Sequence, residues 1–207
     1  MSKILDFLLP TPCVICSKLG APLCTKCLDD FVTNFINLSL GGVTGFAVSD
    51  YSSEAALLVN NLKEKGVTSL TPSLAKLVAR HWPTELDNVI LIPAPSSRAN
   101  SKKRGFSHTA LLSKALAREI PKGSCREILK SAKPRVDQVG LSPAARVKNM
   151  REAFRADLRG FDPRGRPLVL VDDVLTSGAT MAEAIACLEG AGLEIASFLV
   201  FARAGGR

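Results

Sequence analysis

The sequence has no apolar run near the roughly 18 residues that a membrane-crossing helix needs, so membrane insertion is not expected. Its first residues include a short apolar stretch, but Asp6 interrupts it and Pro10 and Pro12 follow. The basic start, long apolar centre and small-residue cleavage site of an export signal are missing, and the expected compartment is the cytoplasm. No Gly-x-x-x-x-Gly-Lys-Ser/Thr occurs, which argues against an NTP-binding P-loop. His81 and His108 are the only histidines. Between residues 91 and 160 the only aromatics are Phe106 and Phe154, a poor supply for a base-stacking platform. Internal repeats and low-complexity tracts are missing too.

What is present is a chain of 207 residues, 46% apolar and 22% charged, enough for one domain with a sizeable core and a small appendage. The formal net charge of +8 is unevenly placed. Residues 91–160 carry 16 basic and 5 acidic side chains, a net of +11, while the segments on either side are close to neutral. Such a block suits an anionic partner: nucleic acid, an acidic membrane surface or a phosphorylated small molecule.

Cysteine is clustered as well. Cys13-Val-Ile-Cys16 and Cys24-Thr-Lys-Cys27 place four thiols within fifteen residues. Two Cys-x-x-Cys turns can surround one tetrahedral ion with Zn–S bonds of about 2.3 Å. Ser17 to Leu23, with Gly20 and Pro22, can fold back over such a site as a compact pair of knuckles. Disulfides and a redox Cys-x-x-Cys compete with this reading, but a reducing compartment and two adjacent copies favour zinc. Four thiolates close the coordination sphere, so the metal is expected to be structural and to supply folding energy. Cys125 and Cys187 stand alone and are expected to be buried small hydrophobes.

Along the body, Gly41 to Gly45 reads as a loop or hairpin into a strand over 46–51. Ala55, Leu58, Val59 and Leu62 mark one face of a helix over 53–64, ended by Gly66. A second helix is expected over 72–81, with Thr71 as its cap and Pro72 at N1. Val89 to Ile92 looks like a strand buried on both faces, stopped by Pro93 and Pro95. A helix over 107–119, a strand over 167–172, a helix over 179–190 and a strand over 194–202 follow. Strands alternating with helices predict an α/β fold with a mostly parallel sheet flanked by helices.

The most informative stretch runs from Leu168 to Met181. An apolar strand brings Asp172 and Asp173 to its C-terminal end, where ligands bind in open α/β sheets. Thr176-Ser177-Gly178-Ala179-Thr180 then opens a helix, and small residues at a helix N-terminus suit a phosphate. A sugar phosphate reconciles the two features: ring hydroxyls donate to the acids while the phosphate sits in the turn. A plain N-capped helix would explain the Thr and Ser, but not the two acids beside them.

Residues 168–181 resemble the phosphoribosyl-diphosphate (PRPP) signature of type I phosphoribosyltransferases. The cysteine pair, Tyr51, Leu62-Lys63-Glu64-Lys65-Gly66, Ile92-Pro93-Ala94-Pro95 and Arg104-Gly105-Phe106 further resemble the ComF family. So does Gln138-x-x-Leu141 followed by Arg146, Asn149 and Phe154. The family commonly has Asn-Gln where this chain has Ser107-His108, and a His near Ser96 and Ser97.

The resemblance implies a type I phosphoribosyltransferase fold over 41–207 behind a zinc module over 1–40. It implies that Asp172 and Asp173 bind the ribose hydroxyls, and that Thr176, Ser177, Gly178, Ala179 and Thr180 hold the 5′-phosphate. Ala94 to Arg98, including Pro95 and Ser96, would face the diphosphate. Arg104 and Arg146 belong to family motifs, with Arg135 to Arg151 a loop closing over the site and Arg146 among the catalytic residues. Mg²⁺ would be held mainly by PRPP oxygens and water. His108 opens a helix beside Arg104 and is a weaker candidate for touching an anion, whereas His81 reads as structural. Three functions follow: ribose 5-phosphate transfer from PRPP to a nitrogen acceptor, a module handling single-stranded DNA with DNA-uptake proteins, or a PRPP sensor without turnover.

Overall fold

The computed structural model describes residues 11–95, 105–132 and 153–205. Its centre is a six-stranded sheet in the order β1-β2-β8-β7-β3-β4. The strands are β1 Ile36–Leu40, β2 Val43–Asp50, β3 Ile90–Pro93, β4 Ser124–Cys125, β7 Leu168–Leu175 and β8 Ser197–Arg203. All neighbours run parallel except β1 and β2. A separate antiparallel ribbon pairs β5 Leu129–Ser131 with β6 Phe154–Ala156.

The inner strands are apolar on both faces because both faces are covered. Along β7, Val169 and Val171 enter one core while Leu168 and Leu170 enter the other, as side chains alternate along a strand. In β8 Leu199 and Phe201 go one way, Phe198 and Val200 the other. The first core is closed by three helices, α2 Ser53–Lys63, α3 Thr71–Ala79 and α4 His108–Glu119. The second is closed by α5 Ala179–Glu189 and the β5–β6 ribbon. The expected mostly parallel sheet between helices is therefore what the chain forms.

Local differences have local causes. Gly41 and Gly42 take φ of +60° and +82°, the turn that joins two strands tightly, so β1 precedes the expected hairpin as a strand of its own. β1 lies N-terminal to residue 41 and yet pairs with the sheet. Thr71 does not cap α3. It is the first helical residue, and its hydroxyl donates to Thr68 O at 2.6 Å, fastening a 3₁₀ turn onto the helix. β7 continues to Leu175, past the expected end at 172, because β8 pairs with it as far as Leu175↔Arg203.

Candidate functional site

The site is built at the C-terminal ends of β3 and β7. Asp172 and Asp173 lie inside the extended β7, with Val174 and Leu175 still paired beyond them. On a pleated strand adjacent side chains take opposite faces, so the neighbours meet different surroundings. Asp172 is half-buried. Its Oδ1 accepts from the Asp173 N–H at 2.9 Å. Asp173 is only 9% exposed. Its Oδ1 accepts from the Val174 N–H at 2.8 Å. Its Oδ2 lies 2.9 Å from His108 Nε2 and 3.0 Å from Lys63 Nζ. These two contacts act by charge and proximity more than by aligned hydrogen bonding.

The partners come from two helices. Lys63 is the last residue of α2, one turn beyond buried Val59, and His108 is the first residue of α4. α4 is fixed at that point: Ser107 caps it by accepting from the Ala110 N–H, and the buried Thr109 hydroxyl donates to Ala94 O at the end of β3 at 2.7 Å. Phe106 comes within 3.6 Å of the space above Gly66, so two distant sequence motifs meet here.

Charge divides the acids. Burial and the neighbouring carboxylate push Asp172 up to about 8. Burial opposes ionisation at Asp173 too, but His108 and the Lys63 ammonium hold its carboxyl below the ordinary range. Burial likewise opposes the charge on Lys63, and Asp173 outweighs it and raises the amine.

β7 leads through exposed Thr176 and Ser177 to Gly178, which opens α5 in the left-handed region at φ +76°. No side chain caps this helix, whereas α2 and α4 are capped by Ser52 and Ser107. The first-turn N–H groups lack intrahelical partners and concentrate positive potential, which an anion can satisfy. The glycine is also a matter of room, since a Cβ there would sit 3.0 Å from Leu40 Cδ1. A simple Thr or Ser cap is thus not the role of this turn. Pro95 follows β3 at the same edge of the sheet. Ser96, Arg104, Arg146 and the segment Arg135 to Arg151 lie outside the described residues, although its flanks are paired, Ala132 N–H to Ala153 O at 2.8 Å.

A second cluster lies apart from these strands. The Sγ atoms of Cys13, Cys16, Cys24 and Cys27 all fall within 4.8 Å of one another, and none of them forms a disulfide. Cys16 and Cys24 are 3.7 Å apart, close to the tetrahedral edge of about 3.8 Å that four Zn–S bonds would give. The first pair sits on a tight turn, as expected. The second departs from a knuckle, because Cys24 is the extended residue just before α1, Thr25–Asp30, and Cys27 lies within that helix. Burial opposes it, yet backbone N–H groups of Cys16 and Cys24 bring the Cys13 thiol down to about 6. Burial and the three other thiols push Cys27 up. This group of sulfurs could hold a metal ion. It is docked by Leu23 and Phe31 in the first core, by the Phe31–Phe201 ring pair at 5.9 Å and by Arg80 on Asp29 at 2.7 Å. Cys125 and Cys187 are half-buried rather than buried, and burial pushes Cys125 up to about 11. His81 is exposed, with its ring 5.6 Å from that of Phe35.

Residues 101–207, just over half of the chain, match the phosphoribosyl transferase domain. The chain belongs to that family. Over 145 residues it is 31% identical to DNA utilization protein YhgH of Salmonella typhimurium, covering 66% of this chain and 62% of that protein. It is 28% identical over 154 residues to Competence protein F of Haemophilus influenzae, covering 71% and 67%. The match to YhgH of Shigella flexneri is 30% over 144 residues, 66% of this chain and 61% of that protein. The chain thus spans a little under two thirds of the YhgH relatives. These names agree with the ComF resemblance, and within the phosphoribosyl transferase family this is a ComF-type member.

The sequence reading gave Lys63 no role and only a weak one to His108. One signal for Lys63 was available: it follows Val59 by four residues and so borders the buried face of α2. Nothing local announced that α2 and α4 would both end on Asp173.

Proposed function

We propose that this phosphoribosyl transferase domain binds PRPP at the C-terminal edge of its sheet and transfers ribose 5-phosphate to a nitrogen acceptor, with diphosphate leaving. One observation carries the reading: a side-chain-uncapped helix N-terminus, opened by Gly178, follows directly on a strand that holds two adjacent aspartates. The turn from Thr176 to Thr180 would take the 5′-phosphate, and the paired acids would face the ring. Pro95 and Ser96 would line the diphosphate side, with Arg104 and Arg146 countering the charge that develops as the C1–O bond breaks and the ring becomes oxocarbenium-like. Among the described residues the cysteines form the only cluster with metal-ligand spacing. Mg²⁺ would therefore travel on PRPP oxygens and water, where it neutralises the diphosphate. Titration calorimetry with PRPP·Mg²⁺ tests the reading. The wild type should bind, and Asp172→Asn combined with Asp173→Asn should bind at least tenfold less tightly. No binding by the wild type, or equal binding by the double variant, refutes it. Diphosphate release with a panel of amines and bases then separates a transferase from a sensor.

We assign zinc to the four cysteines, in a structural role, because four sulfurs leave no open coordination position. A strong chelator should remove one zinc per chain and lower the melting temperature by about 5 °C or more. Unchanged melting after the zinc is lost would contradict the assignment.

A DNA-linked role is a second reading, favoured by the relatives' names and by the net +11 of residues 91–160. Under it, single-stranded oligonucleotide affinity should fall about tenfold or more between about 50 and 200 mM salt. The absence of binding at the lower salt would exclude direct DNA contact.

A further inference from the structure

The two edges of the main sheet are unlike. β4 is two residues long and is followed at once by Arg126, whose Nη1 donates to Cys125 O at 3.2 Å. A short edge with a charge beside it discourages another strand from adding. β1, at the other edge, is five residues long, pairs with β2 without a bulge, and contains neither a charge nor a proline. Residues 31–49 carry no charged side chain at all, in a chain whose formal net charge is +8. Copies of a cationic chain repel one another, and this edge adds nothing to that repulsion.

The direction of its backbone groups follows from the turn. Gly41 and Gly42 make a two-residue hairpin, so Leu40 C=O and Val43 N–H belong to its hydrogen-bonded closing pair. Bonded pairs alternate along an antiparallel ladder, so Leu38 and Ile36 also bond to β2, and the N–H and C=O of Asn37 and Ser39 point to the open edge. Outside the β1–β2 ladder, no hydrogen bond to any of these groups forms among the described residues. The Asn37 and Ser39 side chains are exposed, while Ile36, Leu38 and Leu40 are half-buried on the second core.

We propose that β1 pairs antiparallel with β1 of a second copy of this chain, about a two-fold axis at Leu38, so that two six-stranded sheets join into one. The strand alternates apolar and polar residues identically in both directions, as a self-complementary contact requires. With the axis at Leu38, Asn37 stands opposite Ser39 of the partner subunit, and Ile36 stands opposite Leu40 of the partner subunit. Asn37 and Ser39 then form the bonded pairs, and every outward N–H and C=O of both copies is satisfied. Leu38 falls at the non-bonded position, where side chains approach most closely. A slip by one residue would set polar against apolar on both faces. The contact is small beside the roughly 1,200–2,000 Å² of stable interfaces, so the dimer is weak, with a dissociation constant of about 10–100 μM. The pairing needs nothing from the sugar-phosphate reading. Leu40 lies beside Gly178, so it also braces the turn that opens α5.

Sedimentation equilibrium of the full chain from about 1 to 500 μM tests this, and the mean mass should climb from one copy toward two. Asn37→Lys with Ser39→Lys sets like charges directly opposite one another and should weaken the dimer about tenfold or more. Asn37→Lys with Ser39→Glu sets opposite charges across the axis, and its dimer should be as tight as that of wild type or tighter. Both positions are exposed, so melting temperatures at low concentration should stay within about 2 °C of wild type. Hydrogen exchange at the Asn37 and Ser39 amides should slow as wild-type concentration rises. A wild type that stays monomeric throughout overturns the proposal. So do two variants that both dimerise like wild type, or that both lose the dimer. Protection of the two amides in a monomer would mean that another segment of the chain covers the edge, and overturns it as well.

Discussion

At the N-terminal ends of β3, β4 and β7 a single arginine ties the loops together, whereas toward the opposite end of β7 two adjacent aspartates stand beside a lysine and a histidine. Arg166 donates through Nη2 to Val89 O, Lys122 O and Ser124 Oγ at 2.7–2.9 Å, and through Nε to Asn88 O at 2.9 Å. Every partner is a neutral oxygen fixed by the fold, and nothing in the arrangement asks for a ligand. At the other end Lys63 and His108 come within 3.0 Å of Asp173 Oδ2, half-buried Asp172 stands next to it on the strand, and a helix N-terminus that no side chain caps follows. Polar groups that complete one another hold a structure together. Polar groups left short of partners at a strand end are where a ligand gains most.

The comparison can be broken at either end. The largest effect on stability is expected from Arg166→Met, which strips donors from buried Val89 O and its neighbours and should cost about 2–3 kcal/mol in chemical denaturation. PRPP affinity should stay within about twofold of wild type. Next comes Asp172→Asn, for which PRPP affinity should fall about tenfold in calorimetry, or about 1.4 kcal/mol. Stability should hold or rise, because the amide oxygen can still accept from the Asp173 N–H and the carboxylate repulsion is gone. Gly178→Ala should cost about 1 kcal/mol in denaturation, since the left-handed φ is strained for alanine and its Cβ would press on Leu40.

A separate effect is in pH dependence. Asp172, buried and next to the Asp173 charge, keeps its proton in the folded chain up to about 8, against an ordinary value of about 4. Between those values the folded state holds the extra proton, so Asp172 makes stability decline as pH rises through the window. Asp173 works the other way, its stabilisation being lost as pH falls below about 4. Denaturation midpoints measured across pH 4–8 should show the decline in wild type and lose it in Asp172→Asn.

Much of this was legible in the sequence, and the boundary is a physical one. β7, its turn and α5 could be read because an apolar run, paired acids and small hydroxyl residues are contiguous. The cysteine cluster could be read because its ligands fall in two short motifs. β1 left a signal that went unused, the alternation Ile36-Asn37-Leu38-Ser39-Leu40. Thr71 looked like a cap because caps favour threonine, but a 3₁₀ turn ahead of it had already set the helix start. The junction of Lys63, His108 and Asp173 was hidden, since tertiary packing of two helix ends on one strand has no local pattern. The basic surplus was visible as a count, but Arg104 and Arg146 lie outside the described residues, so their assignment still rests on resemblance.

The most direct test is a calorimetric titration of PRPP·Mg²⁺ into wild type, Arg166→Met and Asp172→Asn side by side. If the C-terminal edge is the ligand site and the N-terminal edge is scaffold, wild type and Arg166→Met bind alike and Asp172→Asn binds about tenfold less tightly. Binding by Asp172→Asn equal to wild type, or no binding of PRPP by any of the three, would contradict it.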